Sequence, residues 1–155
     1  MAANIVNTDD YEALIQFLYV APIGLVQTSL DGEISMINPV SAKLLMPLSL
    51  DGGLDNLFTA LAGVAPDLCQ LTASFAPPRG MVCDARHIAL PARAQGASAP
   101  EMLSLSILKL DESRLVAVIS DITSQFKRAN ETLNAAGVVS SMPDEQAVSK
   151  LEQCK

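Results

Sequence analysis

Residues 28–45, TSLDGEISMINPVSAKLL, carry four local signals in succession: a strand end, a tight turn, a second strand and a helix start. Asp31-Gly32 is a favoured pair for a two-residue hairpin turn, because glycine tolerates the positive φ such turns require. EISMIN (33–38) returns as the partner strand, and strict alternation predicts Ile34 and Met36 on one face. Asn38 has a side-chain oxygen able to cap a helix, and Pro39 suits the first helical position, where its missing N–H is not needed. Ala42, Leu45 and Met46 would give that helix its apolar side. The stretch therefore predicts a hairpin that runs directly into a helix.

Upstream, IGLVQTSL (23–30) reads as the first strand of that hairpin. Before it, Tyr11, Leu14, Ile15 and Leu18 recur at helical spacing and predict a helix over 9–20. Asp9 with Glu12 three places on is a capping-box variant. Pro22 stops the helix, since the residue before proline avoids the α region.

Downstream, residues 47–78 hold two short helical patches, Leu54/Leu57/Phe58/Leu61 and Leu68/Leu71/Phe75, separated by Gly63 and Pro66. Short helices broken in this way wrap a sheet rather than form a bundle. Three strand candidates follow. GMVCDARHIAL (80–90) alternates imperfectly, and MLSLSILKL (102–110) places Leu103, Leu105 and Ile107 on one face. RLVAVISDI (114–122) is nearly continuous in apolar residues, as in a central strand buried on both sides. PARAQGASAP (91–100) reads as a loop rich in small residues. The order predicts an α+β fold: one five-stranded antiparallel sheet with short helices on one face, its final strand central and paired with the first hairpin.

Ile122, Phe126, Ala129, Leu133 and Ala136 then recur at spacings of 4, 3, 4 and 3, flanked by polar residues, until Gly137. Such a narrow seam fits a dimer or linker helix better than the wide stripe of a helix packed on its own domain. Residues 138–155 read as a tail, or as the start of a linker to something further.

Composition bounds the function. The chain has 155 residues, half of them hydrophobic and 17% charged, enough for one domain with a real core and unlike a disordered chain. Aromatics make up 4% and tryptophan is absent, so Leu, Ile, Val, Ala and six methionines must build the core. Methionine suits either an adaptable core or a ligand cavity. A net charge of −7 argues against nucleic acid as a partner. The absence of a long apolar run argues against a membrane span. The N-terminus lacks the pattern of a secretory signal, and Cys69, Cys83 and Cys154 fit neither a disulfide framework nor a zinc site. The expectation is a cytoplasmic protein in a reducing compartment.

Two stretches resemble the PAS sensory-domain family. APIGLVQTSLDGEISMINPVSAKLL (21–45) is similar to the family's opening hairpin, with an Ala-Pro-x-Gly lead-in, an Asp-Gly turn and an Asn-Pro helix start. LVAVISDITSQFKRANETL (115–133) is similar to its last strand, closing with Asp121-Ile122-Thr123 and passing into an outgoing helix. The resemblance implies a sensor domain over 21–122, flanked by an N-terminal helix (1–20), an outgoing signalling and dimerisation helix (123–137) and a tail (138–155). It implies a homodimer that responds to a small ligand, cofactor or redox state. The signal would pass to an output module such as a kinase, cyclase or transcription regulator, in cis or in trans. Asp121, Ile122 and Thr123 would be the junction, and Phe126, Ala129 and Leu133 the pairing face. A ligand cavity of the family's kind would draw its lining from Leu25, Ile34, Met36, Leu57, Phe58, Leu71, Met81, Cys83, Leu105 and Ile107. The alternative is a ligand-free dimerisation or protein-interaction module with the same fold.

The residues supply no catalytic set. There is one histidine, and no glycine-rich phosphate loop followed by lysine and a hydroxyl residue, so an enzyme is not expected. His87 is the one haem-ligand candidate. Haem-binding members of the family carry their histidine on the helix before the third strand, where this chain has Cys69. In an unbroken strand over 80–90, His87 would share a face with Met81 and Cys83. The light-sensing flavin subgroup carries an Asn-Cys-Arg-Phe stretch, absent from 54–75, which argues against covalent flavin. Flavin held without a covalent bond stays open, although few aromatics are available to stack on its ring.

Overall fold

The computed structural model describes residues 8–92 and 99–136. The chain divides into two compact units, the first ending at Ile122 and the second beginning at Thr123. In order, the elements of the first unit are α1 (Thr8–Val20), β1 (Gly24–Ser29), β2 (Ile34–Ile37), α2 (Pro39–Leu45), α3 (Leu57–Leu61), α4 (Leu68–Ala73), β3 (Gly80–Ala89), β4 (Met102–Lys109) and β5 (Arg114–Asp121). The second unit contributes α5 (Thr123–Ala136). The tail predicted from 138 onward and most of the loop after Leu90 lie outside the described residues.

The five strands form one antiparallel sheet in the order β2-β1-β5-β4-β3, so the last strand is central and pairs with the opening hairpin, as the sequence predicts. Alternation gives the sheet two unlike faces. On the core face, Val26, Leu103, Leu105, Ile107, Leu115, Ala117 and Ile119 are each at most 1% exposed. They pack against Leu44 and Leu45 of α2, Leu57, Phe58 and Leu61 of α3, and Leu68 of α4. Burying an aliphatic side chain of this size contributes about 1.5–3 kcal/mol, so this layer supplies most of the stability of the fold. On the outer face, Val116 and Val118 of β5 are only half-buried. The expectation of full burial on both sides of β5 therefore holds for one face.

Helix starts are fixed by asparagine. Asn38 Oδ1 accepts from Ser41 N at 3.0 Å, with Pro39 opening the helix as predicted. The buried side of α2 is Ser41, Leu44 and Leu45, and Met46 points to solvent, 53% exposed, instead of joining it. Asn56 Oδ1 accepts from Phe58 N and Thr59 N at 2.9 and 3.1 Å and starts α3. This cap shortens the helix predicted from Leu54.

The opening hairpin differs in two details from what its residues predict. Gly32 N donates to Ser29 O at 3.1 Å, and of Asp31 and Gly32 only the glycine has positive φ, at 89°. The connection is therefore a turn centred on Leu30-Asp31 and closed by a left-handed glycine, rather than a two-residue turn. The pairing register of β1 and β2 also slips between Gln27↔Met36 and Thr28↔Ile34. Ser35 is the extra residue, and its hydroxyl donates to Gln27 O at 3.2 Å. The slip puts Ile34 with Ile37 toward the core and turns Met36 to the outer face, so Ile34 and Met36 do not share a face.

Candidate functional site

A half-open apolar cleft of about 270 Å³ lies between α1 and the outer face of the β2-β1-β5 half of the sheet. Its floor follows from register. Gln27 pairs with Met36 on one side and Val116 on the other, so these three form a row across the strands, with Leu25 beside them. Its roof follows from helical spacing: Ile15 and Leu18, three residues apart, are the half-buried side chains of α1 and face the floor. Tyr11, Leu14 and Phe17 are more than half exposed. The stripe predicted on α1 is thus split, with Ile15 and Leu18 against the sheet and Tyr11 and Leu14 outside. Asp9 and Asp10 sit in the first turn of α1, where carboxylates favour the positive end of the helix.

Asn38 joins the roof to the floor. It is 4% exposed and makes four hydrogen bonds. Oδ1 accepts from Leu25 N at 2.9 Å as well as from Ser41 N. Nδ2 donates to Ile23 O at 2.8 Å and to Leu18 O at 3.2 Å. One amide therefore caps α2, pins the start of β1, and holds a carbonyl in the last turn of α1 that has no partner within its own helix. The capping role is legible in Asn38-Pro39. The two donor bonds had no signal, because they depend on α1 folding back over the hairpin.

The ten side chains proposed as cavity lining are divided between the two faces. Leu25 and Met36 line the cleft under α1. Leu57, Phe58, Leu105 and Ile107 are packed in the core layer, with Ile34 and Cys83 at its margin. Leu71 is half-buried on α4, and Met81 is exposed on β3 opposite Leu108. Gln27 and Val116 also line the cleft, with Ile15 and Leu18, expected only as part of the stripe of α1, and Asn38, expected only as a cap.

The strand carrying His87 is not unbroken. Register slips occur between Met81 and Cys83 and between Cys83 and Arg86, with Ala85 in the left-handed region at φ 46°. Cys83 pairs with Ile107 and Arg86 with Leu105, whereas His87 pairs with Ser104. His87 thus stands exposed on the opposite side from Cys83 and is not among the cleft residues. That position does not fit an axial haem ligand. Burial pushes the Cys83 thiol above its ordinary pKa, against the activation expected of a reactive cysteine. Among the described residues no group of three or more His, Cys, Asp or Glu side chains is placed to hold a metal ion. No helix among them is long and apolar enough to cross a membrane.

Arg86 fastens the β3 edge to α4. Its Nη1 and Nη2 donate to the two carboxylate oxygens of Asp67, each at 2.8 Å. The Arg86 hydrogen bonds hold the Asp67 carboxyl below its usual pKa. A carboxylate lowered on folding contributes stability that is present above its unfolded pKa and lost as the pH falls through the folded value. Asp111 is lowered in the same sense by Arg114 and Ser113. Urea midpoints are therefore expected to fall as the pH drops below about 4, and Asp67→Asn should flatten part of that slope. Both pairs are exposed, so the change is small. An unchanged slope in Asp67→Asn would show that the clasp contributes nothing in solution.

At the junction, Ile122 N donates to Met102 O at 3.0 Å, tying the end of β5 to the start of β4 before α5 begins at Thr123. No residue of α5 is buried, and on its seam Phe126 and Leu133 are 39% and 67% exposed.

Neither a family model nor a curated protein sequence matches this chain. Among solved structures it is similar to the PAS domain of an HTR-like protein from Haloarcula marismortui. That likeness has 16% sequence identity and a TM-score of 0.48, and covers 75% of this chain and 100% of the other.

Proposed function

We propose that this chain is a non-enzymatic sensory or interaction module of the PAS type, homodimeric through its terminal helices, that passes a change in its sheet to an output module through α5. The observation that carries this reading is the pair of apolar faces left uncovered on α1 and α5. Tyr11, Leu14 and Phe17 on the first, and Phe126 and Leu133 on the second, are all more than a third exposed. A helix with apolar residues left over on its outer side is completed by burial against a partner. Asp121-Ile122-Thr123 would be the point of transfer, since the strand it ends is the centre of the sheet. The free thiols at Cys69 and Cys83 accord with a cytoplasmic setting.

A chain ending at Thr123 is expected to dimerise more weakly than the full chain in light scattering across a dilution series. Equal dimerisation of the two would remove α5 from the interface.

A ligand-free module is the second reading, and the filled core layer favours it: Leu105 and Ile107, proposed as cavity lining, are 1% and 0% exposed. Under either reading the core face is a scaffold, and a ligand would be met elsewhere on the sheet.

A further inference from the structure

We propose that the cleft under α1 binds one small, uncharged, hydrocarbon-rich molecule against the outer face of the sheet, opposite the core layer. This deepens the sensory reading by naming its input, and rests on that reading only for the step from binding to output.

Size comes first. An apolar cavity of about 150 Å³ is enough to hold benzene. A space of about 270 Å³ admits a medium-length alkyl chain or two fused rings. The walls select against charge. Ile15, Leu18, Leu25, Met36 and Val116 are apolar, and among the described residues no lysine, arginine, aspartate or glutamate lines the space. A carboxylate or ammonium would lose its water there and gain no counter-charge. Asn38 also lines the cleft, but its amide is already committed to four backbone groups and offers a ligand nothing. Gln27 differs: its Nε2 makes a long 3.4 Å bond to Ser35 Oγ, so its amide is available to a ligand hydroxyl or carbonyl. Met36 supplies a flexible wall, 42% exposed, that can settle around chains of different shape.

The roof makes occupancy consequential. α1 has no buried residue and is held at its C-terminal end by the 3.2 Å bond from Asn38 to Leu18 O. A molecule filling the cleft touches Ile15 and Leu18 on one side and the β1-β2-β5 floor on the other. It therefore adds contacts between the helix and the sheet where the protein alone leaves a gap. A second copy seated on α1 would cover its outward residues and leave this cleft as it is.

The chain carries its own probe. It has two tyrosines and no tryptophan; both tyrosines, Tyr11 and Tyr19, are on α1, and Tyr19 lines the cleft. In the full chain bearing Tyr11→Phe, emission reports from Tyr19 alone. Titration with octan-1-ol is expected to change that emission saturably, with one molecule per chain by native mass spectrometry. Sodium octanoate, the same chain length with a charge, is expected to bind about tenfold more weakly. Val116→Phe and Met36→Phe, each placed on the half-exposed outer face, should fill the floor and weaken octan-1-ol by about tenfold while leaving the circular-dichroism melt in place. Either variant alone suffices if the other fails to fold. Failure to saturate, octanoate bound as tightly as the alcohol, or binding indifferent to a folded filling variant would each overturn the proposal. Light scattering on the same samples keeps the two readings apart. Absence of binding in a protein that still dimerises removes the site and leaves the module. Binding with no change in assembly supports the site and shows that occupancy does not act through dimerisation.

Discussion

Asn38→Ala lowers the stability of the fold by about 3–5 kcal/mol, a large part of the 5–15 kcal/mol typical of a domain. Loss of the helix cap alone costs about 1 kcal/mol. The remainder comes from groups that the substitution strands. Leu25 N loses the acceptor that holds it at 2.9 Å, and the carbonyls of Ile23 and Leu18 lose their donor. An unmet backbone group in a water-poor position costs about 1–3 kcal/mol. Asn38→Asp separates the two halves of the residue. A carboxylate still accepts from Leu25 N and Ser41 N but has nothing to donate, and it sets negative charge against two carbonyl oxygens. The cap on α2 survives while α1 comes loose. Urea denaturation gives the total, and hydrogen exchange locates the change: faster exchange across 8–20 with 39–45 still protected is the expected pattern for Asn38→Asp. Unchanged exchange across 8–20 would mean that the amide acts only as a cap.

Gly32→Ala is expected to cost about 3 kcal/mol, from two separate sources. At φ +89° an alanine is strained by about 1 kcal/mol. Its Cβ would also lie 2.5 Å from Phe58 Cδ2 and 2.8 Å from Asn56 Oδ1. Phe58 is 8% exposed and packed in the core, so relief means disturbing that packing, at about 1–3 kcal/mol. Asn56 can give way only by losing the cap of α3 and its 2.9 Å bond to Asp31 O. Gly52→Ala is the control, because Gly52 has a similar φ of +74° with nothing within 4 Å of the added carbon. Its expected cost is the strain alone. Equal denaturation midpoints for the two variants would refute the steric half of the argument.

These residues mark what was legible in the sequence. The Asp-Gly and Asn-Pro pairs announce a turn and a helix start because each encodes a local backbone conformation. The central position of β5 was readable from its continuous apolar run. Ser35, in contrast, shifts β2 by one place and separates Ile34 and Met36 onto opposite faces, and no composition signal distinguishes an inserted serine from an alternating one. His87 leaves the face of Cys83 for the same reason: the slips around Cys83 and Ala85 change the parity of β3. The cleft was beyond reach on different grounds. Periodicity tells which residues share a face, but which face α1 roofs is decided by a tertiary bond from Asn38 to Leu18 O. Of the ten residues expected to line a cavity, only Leu25 and Met36 therefore lie in the cleft.

The irregularity of β3 bears on how copies of this protein avoid one another. An edge strand of ten residues offers a row of unpaired N–H and C=O groups on which another chain can template itself. Here the row is interrupted. The two register slips and the left-handed Ala85 bend the strand, Ala85 N is turned to Ser106 Oγ at 2.8 Å, and Asp84, Arg86 and His87 place polar side chains along the bend. The opposite edge, β2, is only four residues long and has its own slip. Neither edge makes a good template for fibrous growth, so the sheet resists open-ended polymerisation while the helices remain available for closed, side-chain-directed pairing.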